Sequence, residues 1–149
     1  MRPPSGLALL LSRLGAEVSG RFARRLAELD LTPAHVGVLR VVGTQPGIHQ
    51  QALAARLGAA PSRVVKLVDD LEDRGLVERR RSSTDRRQQE LHIADGAQDR
   101  MAAVRALVRD HDAEVVAALS ADEVESLLAL LRRVAEGLGI DDDGHPGLR

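Results

Sequence analysis

Apolar side chains at helical spacing mark the first part of the chain. They recur at intervals of three and four residues over 7–29, which places them on one broad face of a long helix. Thr32 and Pro33 predict the start of a second helix, because a threonine N-cap followed by a first-turn proline is typical of a helix N-terminus. That helix is expected to close in the glycine-containing segment 43–47.

Two shorter helices are predicted next, separated by a tight turn. They cover 50–57 and 61–73, with Gly58 after the first and Gly75 after the second. Small Ala54 lies four residues before Gly58. A helix-turn-helix needs this pairing, because its helices cross closely and its turn takes a residue that tolerates positive φ.

A hairpin is predicted to follow the two short helices. Residues 76–81 and 88–93 have the pattern of short strands, and 82–85 is a turn-forming run. Asp95 is then expected to cap a long helix, and Ser120 with Glu123 forms the capping box of a last one. The predicted fold class is therefore mainly α with a small β-hairpin: a winged helix-turn-helix flanked by long N- and C-terminal helices.

Composition narrows the possible chemistry. The 149 residues fit one domain over 1–149, and the absence of cysteine excludes disulfides, thiolate metal sites and thiol redox sensing. Phe22 is the only aromatic residue among Phe, Trp and Tyr, which argues against a site that stacks bases on aromatic faces. The formal net charge is only -1, but it hides a local clustering of arginine.

The apolar stretch near the N-terminus does not predict a membrane segment. The apolar stretch 7–11 is too short to span a bilayer and no signal cleavage site follows it, so we expect no membrane contact and a cytoplasmic location. Residues 139–149 include three consecutive aspartates and are predicted to form an acidic, flexible tail.

The helix over 61–73 divides into two faces. Positions at i, i+3, i+4 and i+7 are apolar and predict a buried side: Val64, Leu67, Val68 and Leu71. The positions expected to face outward are Ser62, Arg63, Val65, Lys66 and Asp70. Such a face suits a DNA major groove, where Arg63 or Lys66 can donate to guanine and Val65 can contact a thymine methyl. Taken alone, the same face also fits an ordinary solvated helix.

The hairpin adds the arginine cluster. Its positively charged residues are Arg79, Arg80, Arg81, Arg86 and Arg87. Within that span only Asp85 opposes them, which leaves a surplus of about four charges, the electrostatic footprint of a phosphate-binding surface. Asp85 is expected to pair with a neighbouring guanidinium and hold the turn in one shape. A charged solubilising loop is the alternative interpretation.

These segments together resemble the MarR family of bacterial transcriptional regulators. The matching residues are 31–33 (LTP), 46–47 (PG), 53–58 (LAARLG), 67–77 (LVDDLEDRGLV), 85–87 (DRR) and 95–97 (DGA). The resemblance covers 31–97 closely. It implies a homodimer in which the helical regions 6–30 and 96–138 interlock as dimerisation helices. Each winged-helix lobe, 32–95, would then bind double-stranded DNA at one half of a palindromic operator.

The resemblance also implies roles for individual residues. The DNA-binding residues carried over by position are Ser62, Arg63, Val65 and Lys66 on the recognition helix and Arg86 and Arg87 on the wing. Of these, Arg87 would enter the minor groove, with Asp85 structuring the wing. The chain departs from the family pattern at Ser82 and Thr84, where aspartate and arginine are frequent, and at Asp70, where a basic residue is common. Ala60 replaces a frequent serine N-cap.

Family members often release DNA when a small anionic effector binds between the dimer helices and the DNA lobes. His35, Arg13 and Arg40 are the candidate effector-binding residues, with Arg21 and His111 as further polar groups. His111 and Glu114 share a helix face, but one such pair does not predict a metal site, so no metal and no cofactor are expected.

Two other function classes were weighed. A winged-helix interaction module could use the basic wing to hold an acidic protein partner, but the outward residues of 61–73 favour DNA. An enzyme is not expected, because the sequence carries no nucleophile elbow, phosphate loop or metal motif. The prediction is a transcriptional regulator, acting as a repressor.

Overall fold

The computed structural model describes residues 6–85 and 87–140. The elements in these residues are α1 (Leu7–Ala27), α2 (Pro33–Thr44), β1 (Ile48–His49), α3 (Gln50–Leu57), α4 (Pro61–Asp73), β2 (Val77–Arg81), β3 (Gln89–Ile93), α5 (Gln98–Val115) and α6 (Ala121–Gly137). The predicted fold class, mainly α with a small β-hairpin in a winged helix-turn-helix, is confirmed. Arg86 and residues 141–149, which make up most of the predicted tail, lie outside the described residues.

The strands form one antiparallel sheet in the order β1-β3-β2. The hairpin of β2 and β3 begins each strand one residue later than predicted, and Arg81 pairs with Gln89 beside the turn. We call β2, β3 and the turn 82–88 the wing. The pairing of β1 with β3 was not predicted from the sequence, because two residues are too few to show an alternating pattern.

Side-chain caps begin two helices as predicted. At α2, Thr32 Oγ1 accepts a hydrogen bond from the backbone N–H of His35 at 3.3 Å. At α6, Ser120 Oγ accepts from the backbone N–H of Glu123, whose carboxylate accepts from the N–H of Ser120 in return. Each cap satisfies N–H groups that have no partner inside the helix.

The predicted cap of α5 by Asp95 is wrong. The helix begins at Gln98 with Ala97 as its N-cap and no side-chain cap. The backbone N–H of Ala97 donates to the carbonyl of Ala94 at 2.9 Å, so the chain makes one more turn after β3 before the helix starts. Asp95 instead lies 3.1 Å from a guanidinium nitrogen of Arg80.

The core lies within the winged-helix lobe. Its fully buried side chains come from the end of α1, from α2, α3 and α4, and from the sheet: Leu26, Val38, Leu39, Leu53, Leu57, Val64, Val68, Leu71, Leu76 and Leu91. Gly58 joins α3 to α4 at φ +60°, the left-handed conformation expected for this turn. This core fixes the position of α4 relative to the wing.

The two flanking helices present uncovered apolar faces. Along α6 no residue is buried, and large aliphatic side chains remain exposed: Leu127, Leu128, Leu130, Leu131, Val134 and Leu138. The start of α1 is similar, with Leu7, Leu9, Leu10 and Leu14 exposed. A contiguous apolar surface of this kind is typical of an interface.

Candidate nucleic-acid interface

The predicted division of α4 into a buried and an exposed face is confirmed. Val64, Val68 and Leu71 are fully buried, and Leu67 is half-buried against the same core. The predicted DNA-contacting side chains are all exposed: Ser62, Arg63, Val65 and Lys66. Ala60 is the N-cap and makes no side-chain cap bond, so the first N–H groups of α4 lack that partner.

The wing turn is built around Ser82. Its side chain is buried, and its Oγ accepts from the backbone N–H groups of Thr84 at 3.3 Å and Asp85 at 3.4 Å. The Oγ atoms of Ser82 and Thr84 are 3.0 Å apart. The Ser82 backbone N–H donates to the Gln88 carbonyl at 3.0 Å and closes the turn. Hydroxyls therefore shape this turn at the two positions where the family pattern has charged residues.

Asp85 contacts the backbone of the turn. Its Oδ1 accepts from the backbone N–H of Arg87 at 3.0 Å. A neighbouring guanidinium was predicted as its partner, and Arg86 lies outside the described residues. The Arg87 side chain is exposed. The bond therefore shapes the backbone of the turn at Arg87, and the guanidinium of Arg87 remains exposed.

Arg79 is not part of an open basic patch. Its side chain is only 18% exposed, and its guanidinium forms ion pairs with Asp69, at 2.5 Å, and with Glu72, both on α4. It also donates to Gln50 Oε1 on α3 at 3.3 Å. One arginine thus connects the first wing strand to both helices of the helix-turn-helix.

Arg80 is also paired, with Glu78 and with Asp95. The prediction of a surplus of about four positive charges on the wing is therefore wrong. It considered only the carboxylate inside the span 79–87. Folding brings carboxylates from α4, from β2 itself and from the end of β3 next to these arginines. The positive charge of the wing is left to Arg81 and Arg87 among the residues that the structure describes.

A cleft of about 850 Å³ opens between the start of α3 and the wing. Arg81 and Arg87 line it together with His49 and polar side chains of Gln50, Gln51, Gln88 and Gln89. Within 6–85 and 87–140, no carboxylate forms an ion pair with either arginine. His49 Nδ1 is 3.1 Å from the carbonyl of Gln89, which can only accept, so Nδ1 carries the proton. His49 was not predicted from the sequence, since the strand that contains it is only two residues long.

The candidate effector residues lie in different places. Arg40 lines a second cleft of about 520 Å³ between α2 and α5. The walls of this cleft are mostly apolar, from Val36, Leu39, Met101, Val104 and Val108, and two further guanidinium groups, of Arg105 and Arg109, border it. These two arginines were not predicted, although their spacing of four residues places them on one face of α5.

His35 and Arg13 do not line that cleft. Arg13 is exposed on α1, whereas His35 is buried in the capping box of α2. Burial lowers the pKa of His35, and the positive charge of Arg74 lowers it further. Asp70 Oδ2 lies 3.5 Å from Nε2 of this ring. The residues predicted to bind an effector therefore do not form one site around His35 within the described residues.

His111 is buried and packs on Phe22, with ring centroids 5.1 Å apart.

Over the described part of the chain, no group of three or more His, Cys, Asp or Glu side chains is arranged to hold a metal ion. None of its helices is both long and apolar enough to cross a bilayer.

Known proteins share this sequence pattern and geometry. A model of the MarR family matches residues 29–88. A protein assigned to transcriptional regulation of the hcr operon in Thauera aromatica is 36% identical over 115 residues. That match covers 76% of this chain and 69% of the relative.

Two similar solved structures contain DNA. The transcriptional repressor CouR, bound to a 23-mer DNA duplex, superposes with a TM-score of 0.77 at 33% identity, covering 87% of this chain and 92% of CouR. A mutant of MarR from E. coli, complexed with operator DNA, gives a TM-score of 0.73 at 26% identity, covering 87% of this chain and 94% of that one.

Proposed function

The chain belongs to the MarR family of transcriptional regulators, and we propose that it is a repressor that binds a palindromic operator as a homodimer. The observation that carries this proposal is the exposed, polar N-terminal half of α4 beside a wing whose Arg81 and Arg87 have no carboxylate partner in the described residues. A major-groove helix next to a minor-groove or phosphate-binding wing is the docking arrangement of winged-helix proteins. The solved relatives bound to DNA support it.

The proposed contacts follow the exposed positions. On α4, Arg63 and Lys66 donate to base edges, Val65 contacts a thymine methyl, and Ser62 binds the phosphate backbone or a base edge. On the wing, Arg86 and Arg87 contact DNA, with Arg87 entering the minor groove and Asp85 holding the turn. The lobe 32–95 makes these contacts. The proposed activity is binding without catalysis, in the cytoplasm.

The homodimer is supported by the uncovered leucines of α6 and of the start of α1. Leu131 is 40% exposed and Leu10 is 53% exposed. Covering such side chains with another apolar surface lowers the free energy of the protein. A second copy presents the same faces, which suits the self-complementary interface of a two-fold dimer. The regions 6–30 and 96–138 are therefore proposed as the dimerisation helices.

Selection from a random pool of DNA duplexes tests the proposal, followed by fluorescence anisotropy on the selected duplex and on its scrambled version at two salt concentrations. We expect a palindromic sequence to be enriched, to bind more tightly than the scrambled duplex, and to lose affinity steeply with salt. Equal binding to both duplexes, with no enrichment, would overturn the operator-reading role and favour an acidic protein partner for the wing.

We also infer that a small anionic effector with an apolar body binds in the cleft between α2 and α5. Apolar walls bordered by Arg40, Arg105 and Arg109 suit a carboxylate attached to a hydrophobic group. Titrating operator complexes with a panel of aromatic carboxylates tests this. At least one compound should release DNA from the natural protein, with a weaker response after Arg109→Ala. A panel without any effect, or an unchanged response in the variant, argues against this cleft.

A further inference from the structure

One nitrogen of the His35 imidazole accepts a hydrogen bond at the start of α2. Nδ1 lies 3.1 Å from the backbone nitrogen of Thr32, and Thr32 Oγ1 accepts from the backbone N–H of His35. Because a backbone amide can only donate, Nδ1 accepts and carries no proton. The neutral ring therefore holds its single proton on Nε2.

The second nitrogen faces the recognition helix α4. Nε2 is buried and makes no hydrogen bond within the described residues, but it lies 3.5 Å from Oδ2 of Asp70. The His35 side chain is 5% exposed. A buried N–H aimed at a carboxylate is an attractive contact, and here it joins the first turn of α2 to the C-terminal part of α4.

Other charged groups surround this contact. From α4, Arg74 lies 3.9 Å from Asp70 Oδ1 and also pairs with Asp30, in the loop before α2, at 3.3 Å. From α5, Arg100 donates to the backbone carbonyl of Arg74 at 2.8 Å. Asp70 and Asp30 favour a charged imidazole, whereas Arg74 and burial oppose it. The ring is therefore held neutral at a position where acid can change its charge.

We propose that the neutral ring of His35, held by Thr32 at the start of α2, positions Asp70 and the recognition helix for DNA, and that protonation breaks the bond to Thr32 and shifts this position, so that operator affinity falls in acid. A second proton on Nδ1 would place an N–H against the N–H of Thr32, and this hydrogen bond would be lost. The ring would then act as a cation toward Asp70, with the capping box open. The proposal rests on the DNA-binding function proposed above.

The same contact accounts for the acidic residue at position 70. A carboxylate on the outer side of a recognition helix repels phosphate. In this protein the Asp70 carboxylate lies 3.5 Å from Nε2 of His35 and 3.9 Å from the Arg74 guanidinium, both of which attract it. Asp70 is thus a positioning residue for α4.

The test compares the natural protein with His35→Gln between pH 7.5 and 5.5 at constant ionic strength. Glutamine at this helix position supplies the acceptor of a capping box and does not titrate. Operator affinity of the natural protein should fall as the pH drops, by up to about tenfold per pH unit for each protomer below the pKa of His35. The affinity of His35→Gln, taken relative to its own value at pH 7.5, should stay nearly constant in acid.

Two controls address other histidines and misfolding. His49→Gln and His92→Gln change imidazoles of the sheet and should keep the acid-dependent loss. If His35→Gln fails to fold, Asp70→Asn provides the measurement: without the carboxylate that favours the charged ring, the loss of affinity should move to lower pH. An unchanged profile in whichever variant folds would overturn the proposal. Absence of any operator at pH 7.5 would instead refute the DNA-binding function itself.

Discussion

The guanidinium of Arg79 on β2 donates a hydrogen bond to the carboxylate of Asp69 on α4. The wing and the recognition helix, which are proposed to reach different grooves of the same duplex, are therefore joined by a direct side-chain contact. Glu72 of α4 and Gln50 of α3 share this guanidinium. Arg79 neutralises carboxylates that would otherwise repel phosphate, and it does so without being exposed itself.

We expect Arg79→Ala to lower the free energy of unfolding by about 1–3 kcal/mol, because it removes charge-assisted hydrogen bonds from a largely buried guanidinium. Urea denaturation measures the change. Arg81→Ala, at an exposed position two residues later on the same strand, is the matched control and should change stability by less than about 0.5 kcal/mol. Equal losses in the two variants would contradict the assignment of Arg79 as the link between elements.

Arg87 and Arg63 should affect DNA binding differently. Arg87→Ala is expected to weaken binding to operator and scrambled DNA alike and to reduce the salt dependence by about one counterion, because its contact is electrostatic. Arg63→Ala should relax base preference, costing about 1–3 kcal/mol on the operator and little on scrambled DNA. Anisotropy titrations on both duplexes at two salt concentrations separate the effects. Equal, sequence-independent losses in both variants would contradict this division.

A charge introduced into the apolar face of α6 should weaken the proposed dimer. Leu131→Glu should place a carboxylate in the proposed interface, where an unpaired charge is costly, and shift the protein toward monomer. Sedimentation at micromolar concentration measures the change. Ala129→Glu adds the same charge on the opposite side of α6 and should leave the assembly state intact. Dimers of equal stability in both variants would exclude α6 from the interface.

Acid should also destabilise the fold through His35. Its pKa in the folded protein is lowered, chiefly by burial, so the unfolded chain binds more protons once the pH falls below about 6.5. The free energy of unfolding should therefore fall as the pH is lowered through that value. Urea denaturation at pH 7.5 and 5.5 should show a smaller loss for His35→Gln than for the natural protein.

Two carboxylates titrate in a separate range. Hydrogen bonds from Ser82 and Ser120 lower the pKa values of Glu90 and Glu123, respectively. Their contribution to stability is present at neutral pH and is lost only as the pH falls through those lowered values, below about 4.3. A natural protein and a His35→Gln variant with identical stability differences between pH 7.5 and 5.5 would therefore contradict the effect assigned to the imidazole.

Much of the fold could be predicted because its signals are local. The faces of α4 follow from the spacing of Val64, Val68 and Leu71, and Thr32 and Ser120 mark helix starts through bonds that span three residues. The hairpin was found to within one residue at each strand start. In each case the residues that determine the structure are neighbours in sequence.

The parts that escaped prediction depend on contacts between distant residues. Arg79 was counted as a phosphate-binding group because its partner Asp69 lies on another element, ten positions earlier. The cleft beside Arg40 needs α5, more than sixty residues away, so Arg105 and Arg109 gave no signal on their own. His35 looked like an effector contact, since the sequence could not show that its ring is occupied by Thr32 and Asp70.

Ionic strength should affect one part of the wing strongly and the other part very little. Dissolved ions screen the proposed attraction between Arg87 and a DNA phosphate, because both groups carry a net charge. They have little effect on the hydroxyl of Ser82, whose bonds to backbone N–H groups carry no net charge and are sheltered from solvent. The affinity of the wing for DNA should therefore fall in salt while its conformation is retained, so that binding should return when the salt is diluted.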